Sequence, residues 1–255
     1  LSFGFIFATI HSMSPELFGT DGHTDPAALA AITEEDIAGQ SAPSSETWQN
    51  TLRAALLTQD VKGLRILDVG GGASDFTAKL LELGADAYAI DPKYAHMSRL
   101  KHWVRKGNEQ FLDLTGMHLD YKELLKSFER FKLSTGIHKD RYKAAFATHM
   151  PFPDNYFDVV FSQFAVLGYV DVNMPILTRA VYECLRVTKP GGSIRLNPYE
   201  KAPMGFAQEA SDARINNDRA IVQLLSADPQ VEKIYTQFVS VRSGSVTLAI
   251  QKAAQ

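Results

Sequence analysis

The sequence predicts an α/β fold: a mainly parallel seven-stranded sheet with helices on both faces, closed by an antiparallel C-terminal hairpin. Three observations carry this reading. Short apolar runs alternate with helical patterns from Leu64 onward, and a glycine cluster, Gly70-Gly71-Gly72, joins the first run to the first helical pattern. Two consecutive β-type runs close the chain around Arg242-Ser243-Gly244.

Taken in order, residues 11–45 are rich in Ser, Thr, Gly, Pro, Ala and acids and read as an irregular arm, with one short helix near 26–37. Trp48, Leu52 and Leu56 recur at four-residue intervals, which predicts an amphipathic helix over 48–57. Residues 1–62 thus form an arm and helix, a candidate lid, and 63–255 a single domain. Within it, 65–69 is a strand, 76–83 a helix stopped by Gly84, and 87–90 a second strand. Strands three and four fall at 142–148 and 157–162, and a helix over 174–187 ends before Lys189-Pro190-Gly191-Gly192. Strand five is 193–197, a helix covers 214–226, and the hairpin pairs 231–241 with 245–251.

The chain has 255 residues, 45% hydrophobic and 22% charged, so one large core needs no covalent staple. Its single cysteine, Cys184, has no partner for an internal disulfide, which fits a reducing compartment and suggests the cytoplasm. No apolar run reaches the roughly 18 residues of a membrane helix. The apolar stretch 1–10 lacks the basic flank of a secretory leader. Net charge is -3, but residues 93–143 carry 12 Lys/Arg against 6 Asp/Glu, a basic segment on an acidic body.

The glycine cluster is the most informative stretch. Without Cβ atoms the backbone can approach a ligand closely, and the helix that follows offers unpaired N–H groups. Asp91 closes the second strand, 19 positions after Gly72, where a carboxylate can accept both hydroxyls of a ribose. The dinucleotide pattern would need glycine at 75, and this chain has Asp75. With Asp68 and Asp75 flanking the turn, a pyrophosphate would be repelled, whereas a ligand carrying an ammonium and a sulfonium would be attracted. That favours S-adenosylmethionine over a dinucleotide.

Four segments then resemble the class I, Rossmann-like S-adenosylmethionine-dependent methyltransferases, particularly the small-molecule group. They are Ile66-Leu67-Asp68-Val69-Gly70-Gly71-Gly72, Ala89-Ile90-Asp91, the stretch from Met150 to Val160, and Glu183 through Gly192, in the family's order. The resemblance implies that Asp68, Gly70, Gly71 and Gly72 lie along the methionine part of the cofactor. It implies that Asp91 holds the ribose with Pro92 beside the adenine, and that Ala147, Thr148 and His149 border the adenine edge. Ser162 and Gln163 would line the floor where methyl transfer occurs. Two departures stand out: Phe146 occupies the place of an acid that often accepts the adenine amino hydrogen bond, and Ser74 replaces a third glycine. Asn197-Pro198-Tyr199 follows strand five rather than strand four and reads as a turn.

A sulfonium already carries a good leaving group, so no universal catalytic residue is expected and a base is needed only for acceptors that lose a proton early. His149 is the weak catalytic candidate, followed by Tyr169 and the histidines His96, His102, His118 and His138. Their spacing forms no compact metal motif, so no metal is expected.

The connection from Pro92 to Arg141 is longer than one crossover helix requires and marks a basic helical insert within about 93–141. Tyr121, Leu124, Leu125, Phe128 and Phe131 form its apolar stripe, with Lys122, Lys126 and Arg130 expected to face away. The expected function is methyl transfer to a small molecule. The alternatives are a protein or nucleic-acid methyltransferase docking through the basic insert, or a non-catalytic cofactor-binding module. The acidic overall charge argues against a nucleic-acid or membrane-surface partner.

Overall fold

The computed structural model describes residues 48–102, 121–167, 174–199, 208–240 and 245–254, together with Ala27 and Ala30. Nearly all of the expected arm, His118, Tyr169 and the 242–244 turn lie outside these residues.

Helix α1 (Trp48–Ala54) precedes β1 (Arg65–Val69), α2 (Phe76–Glu82) and β2 (Asp86–Ile90). A 3₁₀ turn at Pro92–His96, helical residues 97–102 and α3 (Tyr121–Ile137) lead to β3 (Tyr142–Lys143). Then follow β4 (Phe157–Gln163), α4 (Met174–Val187), β5 (Thr188–Asn197), α5 (Gln208–Ser226), β6 (Val231–Ser240) and β7 (Ser245–Lys252). The strands make one sheet in the order β3-β2-β1-β4-β5-β7-β6, parallel from β3 to β5, with β7 antiparallel between β5 and β6.

Alternation of side chains along each strand sorts the core into two faces. Leu67, Val69, Val160, Ile194 and Ile250 point to the face covered by Leu177, Val181 and Leu185 of α4 and Ile221 and Leu225 of α5. Ile66, Ala87, Val159 and Phe161 point to the other, where Leu52 of α1 and Phe76 and Leu80 of α2 pack. The insert helix lies on that second face, with Phe128 and Phe131 of α3 packed on Ala89, Tyr94 and Tyr142.

Three expectations change. The third strand is two residues long rather than seven, because its neighbour runs out. Tyr142 and Lys143 pair with Ala89 and Ile90, Asp91 N donates a last bond to Lys143 O, and the chain then turns away at Pro92. The Lys189–Gly192 connection is a bulge within β5, since Thr188 faces Phe157 while Ser193 faces Val159. Asp158 holds that bulge, accepting from Lys189 Nζ at 2.6 Å and from Arg65 N at 2.7 Å. Finally, Arg130 does not face away from the protein: it pairs with Asp75 at the start of α2.

Two motif residues fasten the 150–154 loop to α4. Arg186 grips Glu183 and donates to Phe152 O at 2.9 Å, Met150 O at 3.0 Å and Asp154 Oδ1 at 2.7 Å. Glu183 in turn accepts from Met150 N at 2.8 Å. At the far end of the sheet, Lys252 Nζ donates to Asn155 Oδ1, Leu185 O and Thr188 O, all within 2.9 Å.

Candidate cofactor site

The site is built where the parallel strands end. Gly70 N and Gly71 N both donate to Ile90 O, at 2.8 and 3.2 Å, so the turn after β1 is stitched to the end of β2. Each glycine has its own reason. Gly70 adopts φ +77, and a Cβ there would lie 2.1 Å from Ala165 Cβ. A Cβ on Gly71 would sit 2.9 Å from both Asp68 Oδ2 and Tyr94 Oη. Gly72 adopts φ +52, a left-handed conformation that costs a side chain strain.

Two carboxylates stand beside this turn, on adjacent strands. Asp91 is buried and accepts from Gly72 N at 3.1 Å through Oδ2 and from Lys93 N at 2.9 Å through Oδ1. Asp68 is also buried and accepts from Thr77 Oγ1 of α2 at 3.1 Å. Burial pushes the Asp68 carboxyl up to about 7; the Thr77 hydrogen bond opposes this and the charge of Asp91 adds to it. The expected flanking pair was Asp68 and Asp75. Asp75 is instead turned into the protein and neutralised by Arg130, so the pair on the strand ends is Asp68 and Asp91.

Sequence reasoning missed Tyr94. Its hydroxyl donates to Gly72 O at 2.9 Å, while its ring packs with Tyr142 at 5.6 Å and Phe131 at 6.4 Å between centroids. Burial, with the nearby Asp91 and Asp68 charges, holds this hydroxyl well above the usual tyrosine range. No periodicity signals it: Tyr94 sits in a 3₁₀ turn, and its partner is a backbone atom 22 residues earlier.

The remaining predicted residues converge around the same strand ends. Pro92 begins the 3₁₀ turn behind Asp91, and Phe146 and Ala147 are half-buried beyond β3. Thr148 is buried, and its hydroxyl has no hydrogen-bond partner among the described residues. His149 is buried, with Nε2 in contact with Arg179 Nη2. A guanidinium only donates, so Nε2 accepts and that lone pair is already engaged. Ser162 Oγ accepts from Val166 N at 3.0 Å, which ties it to its own loop. Gln163 ends β4 half-buried, and Phe164 beside it adopts φ +57, rare for a bulky residue. Asn197, opposite Gln163, spends its amide on Val246 O and Thr247 Oγ1 of β7, a structural use. Among the described residues, no group of three or more His, Cys, Asp or Glu could hold a metal ion.

This seven-stranded sheet, with a glycine turn after β1 and a carboxylate closing β2, is the fold expected of the class I, Rossmann-like methyltransferases. The match of residues 67–196, just over half of the chain, to the methyltransferase domain family settles it: the chain belongs to that family. Among its relatives, the ubiquinone/menaquinone biosynthesis C-methyltransferase UbiE of Vibrio cholerae serotype O1 is 27% identical over 139 residues, 54% of this chain and 42% of that protein. UbiE of Shewanella sediminis is 28% identical over 139 residues, 54% of this chain and 44% of its own length. The chain spans less than half the length of these relatives. Among solved structures, the N-methyltransferase NodS from Bradyrhizobium japonicum WM9 in complex with S-adenosyl-L-homocysteine is 12% identical with a TM-score of 0.49, covering 87% of this chain and 98% of that one.

Proposed function

We propose that this chain transfers a methyl group from S-adenosylmethionine to a small-molecule acceptor in the cytoplasm. The observation that carries the reading is the pair of buried carboxylates, Asp68 and Asp91, beside a glycine turn packed too tightly for side chains at Gly70 and Gly71. Such a site suits a cationic adenosyl ligand and opposes a pyrophosphate. When bound, the cofactor supplies a methyl group activated by its sulfonium.

The residues present fit that group. Each oxygen of Asp91 already accepts one backbone N–H and keeps a further lone pair for a ribose hydroxyl. Gly70, Gly71 and Gly72 would run along the methionine part, where an added Cβ on Gly72 would meet no protein atom closer than 4.0 Å, and Asp68 supplies negative charge for its ammonium. Pro92, Ala147, Thr148 and His149 would border the adenine, and Thr148 brings a buried hydroxyl that has no partner among the described residues. Ser162 and Gln163 would form the floor. In-line displacement from a sulfonium rests on positioning and exclusion of water, so this chain needs no base of its own for acceptors that are already nucleophilic.

A small acceptor is supported by the names of the relatives, which act in quinone biosynthesis. It is also favoured over a macromolecule because Arg130 is withdrawn from the basic face of the insert. The cytoplasmic part of the proposal is supported by the single cysteine, Cys184, a buried free thiol that fits a reducing compartment. Among the described residues, no helix is long and apolar enough to cross a membrane.

Calorimetric titration with S-adenosylmethionine and S-adenosylhomocysteine tests the reading. Micromolar binding that disappears in Asp91→Ala is the expected result, and absence of binding to the folded wild-type chain would overturn it.

A further inference from the structure

The insert helix α3 touches the glycine turn's surroundings at two points. Phe131, fully buried on α3, packs against the ring of Tyr94, whose hydroxyl donates to Gly72 O. One residue earlier on the same helix, Arg130 pairs with Asp75, the first residue after the turn that leads into α2. Between these two anchors Gly72 is held at φ +52, with its N–H directed to Asp91 Oδ2.

We propose that Tyr94 is a positioning residue for the cofactor's ribose, acting through Gly72 on Asp91, and that α3 is the brace that holds Tyr94 in place. The proposal rests on the cofactor reading above. The two peptide units joined at Gly72 can rotate about its φ and ψ unless each is tied, the one before it through its N–H and the one after it through its carbonyl. Tyr94 ties the carbonyl of Gly72, and Asp91 accepts from the N–H of the same residue. Fixing Gly72 therefore fixes one oxygen of Asp91, while Lys93 N fixes the other. The carboxylate is oriented before the ligand arrives, with its remaining lone pairs set for two hydroxyl donors. The Tyr94 hydroxyl donates its proton to Gly72 O, so Tyr94 acts through the turn.

The chain of contacts makes a specific claim: Tyr94 should matter only for ligands that use Asp91. The test is Tyr94→Phe, which keeps the ring in its aromatic packing and removes only the hydroxyl. Affinities are measured by calorimetry for S-adenosylhomocysteine and for its 2′,3′-dideoxyribose analogue, alongside thermal melts of both proteins. The expected result is a roughly fivefold weaker dissociation constant for S-adenosylhomocysteine, the scale of one hydrogen bond. Wild type and variant should bind the dideoxy analogue equally.

An equal loss for both ligands would make Tyr94 a general support of the turn and overturn the proposal, as would wild-type affinity for S-adenosylhomocysteine in the variant. If Tyr94→Phe melts far below wild type, Tyr94 supports the fold at large, which also overturns it. Failure of the wild-type chain to bind either ligand would instead refute the cofactor reading, so the two failures are separable.

Discussion

Arg130 on α3 and Asp75 at the head of α2 form an ion pair across 55 residues of sequence, and it is the carboxylate of the pair that is buried. A buried charge deprived of its partner costs more than the pair contributes. Arg130→Ala should therefore destabilise the fold by about 2 kcal/mol, read as a lower urea midpoint. The double variant with Asp75→Ala should lose less than the two single losses added together. Additive losses would mean that the pair carries no coupling.

The glycines of the turn separate conformation from space. Gly63 and Gly191 have φ of +78 and +74 with nothing within 4 Å of an added Cβ, so alanine there should cost only about 1 kcal/mol. Gly70→Ala meets the same strain and must also displace Ala165. Its loss should be at least twice as large in urea unfolding; equal losses at the three positions would remove the steric argument.

Asp68 links stability to pH with an unusual sign. Its carboxyl ordinarily titrates near 3.8 and in the folded chain at about 7. Below 3.8 both folded and unfolded chains hold the proton. Between 3.8 and 7 only the folded chain does, so stability falls as pH rises through this window, and above 7 the penalty is constant. Asp68→Asn keeps an acceptor for Thr77 and should stabilise the protein more at pH 8 than at pH 5, by about 3 kcal/mol. A gain that does not depend on pH would refute the assignment.

The same group should couple to the proposed ligand. An ammonium beside Asp68 favours its charged form, so binding should expel a proton below pH 7 and affinity should climb with pH until about 7. Calorimetry in buffers of different ionisation heats reads that proton directly. Heats that do not vary with buffer at pH 6 would separate Asp68 from the ligand.

Arg186 spans four acceptor groups that a lysine cannot reach together: the Glu183 carboxylate, Phe152 O, Met150 O and Asp154. Arg186→Lys should destabilise by about 2 kcal/mol in spite of its retained charge. A change below a few tenths would show that charge alone suffices.

Strand identities were legible because alternation shows directly which residues face each helical layer, as with Ile66 and Leu67 on opposite faces of β1. The length of β3 was not, because it depends on where its neighbour β2 turns away. The segments around Met150 and Glu183 stood out as a motif, yet only the fold shows that Arg186 joins one to the other. Phe128 and Phe131 were legible as a buried stripe, whereas Arg130 looked like one more solvated cation. Its partner, Asp75, is remote in sequence and reads there only as one of two acids flanking the glycine turn. Asp68 and Asp91 are candidates from position alone; their mutual influence requires both strands to be side by side.

The placement of β7 between β5 and β6 bears on how the protein is made. A ribosome releases β5 and then β6 before β7 exists, so the hydrogen-bonding edge of β5 stays uncovered while the chain is still emerging. Neither of the two earlier strands can take its final neighbour until the last one arrives, and the three bonds of Lys252 close only with it. The sheet is thus completed by insertion rather than by addition. A nascent chain stalled before residue 245 should present an open strand to chaperones or to other copies of itself.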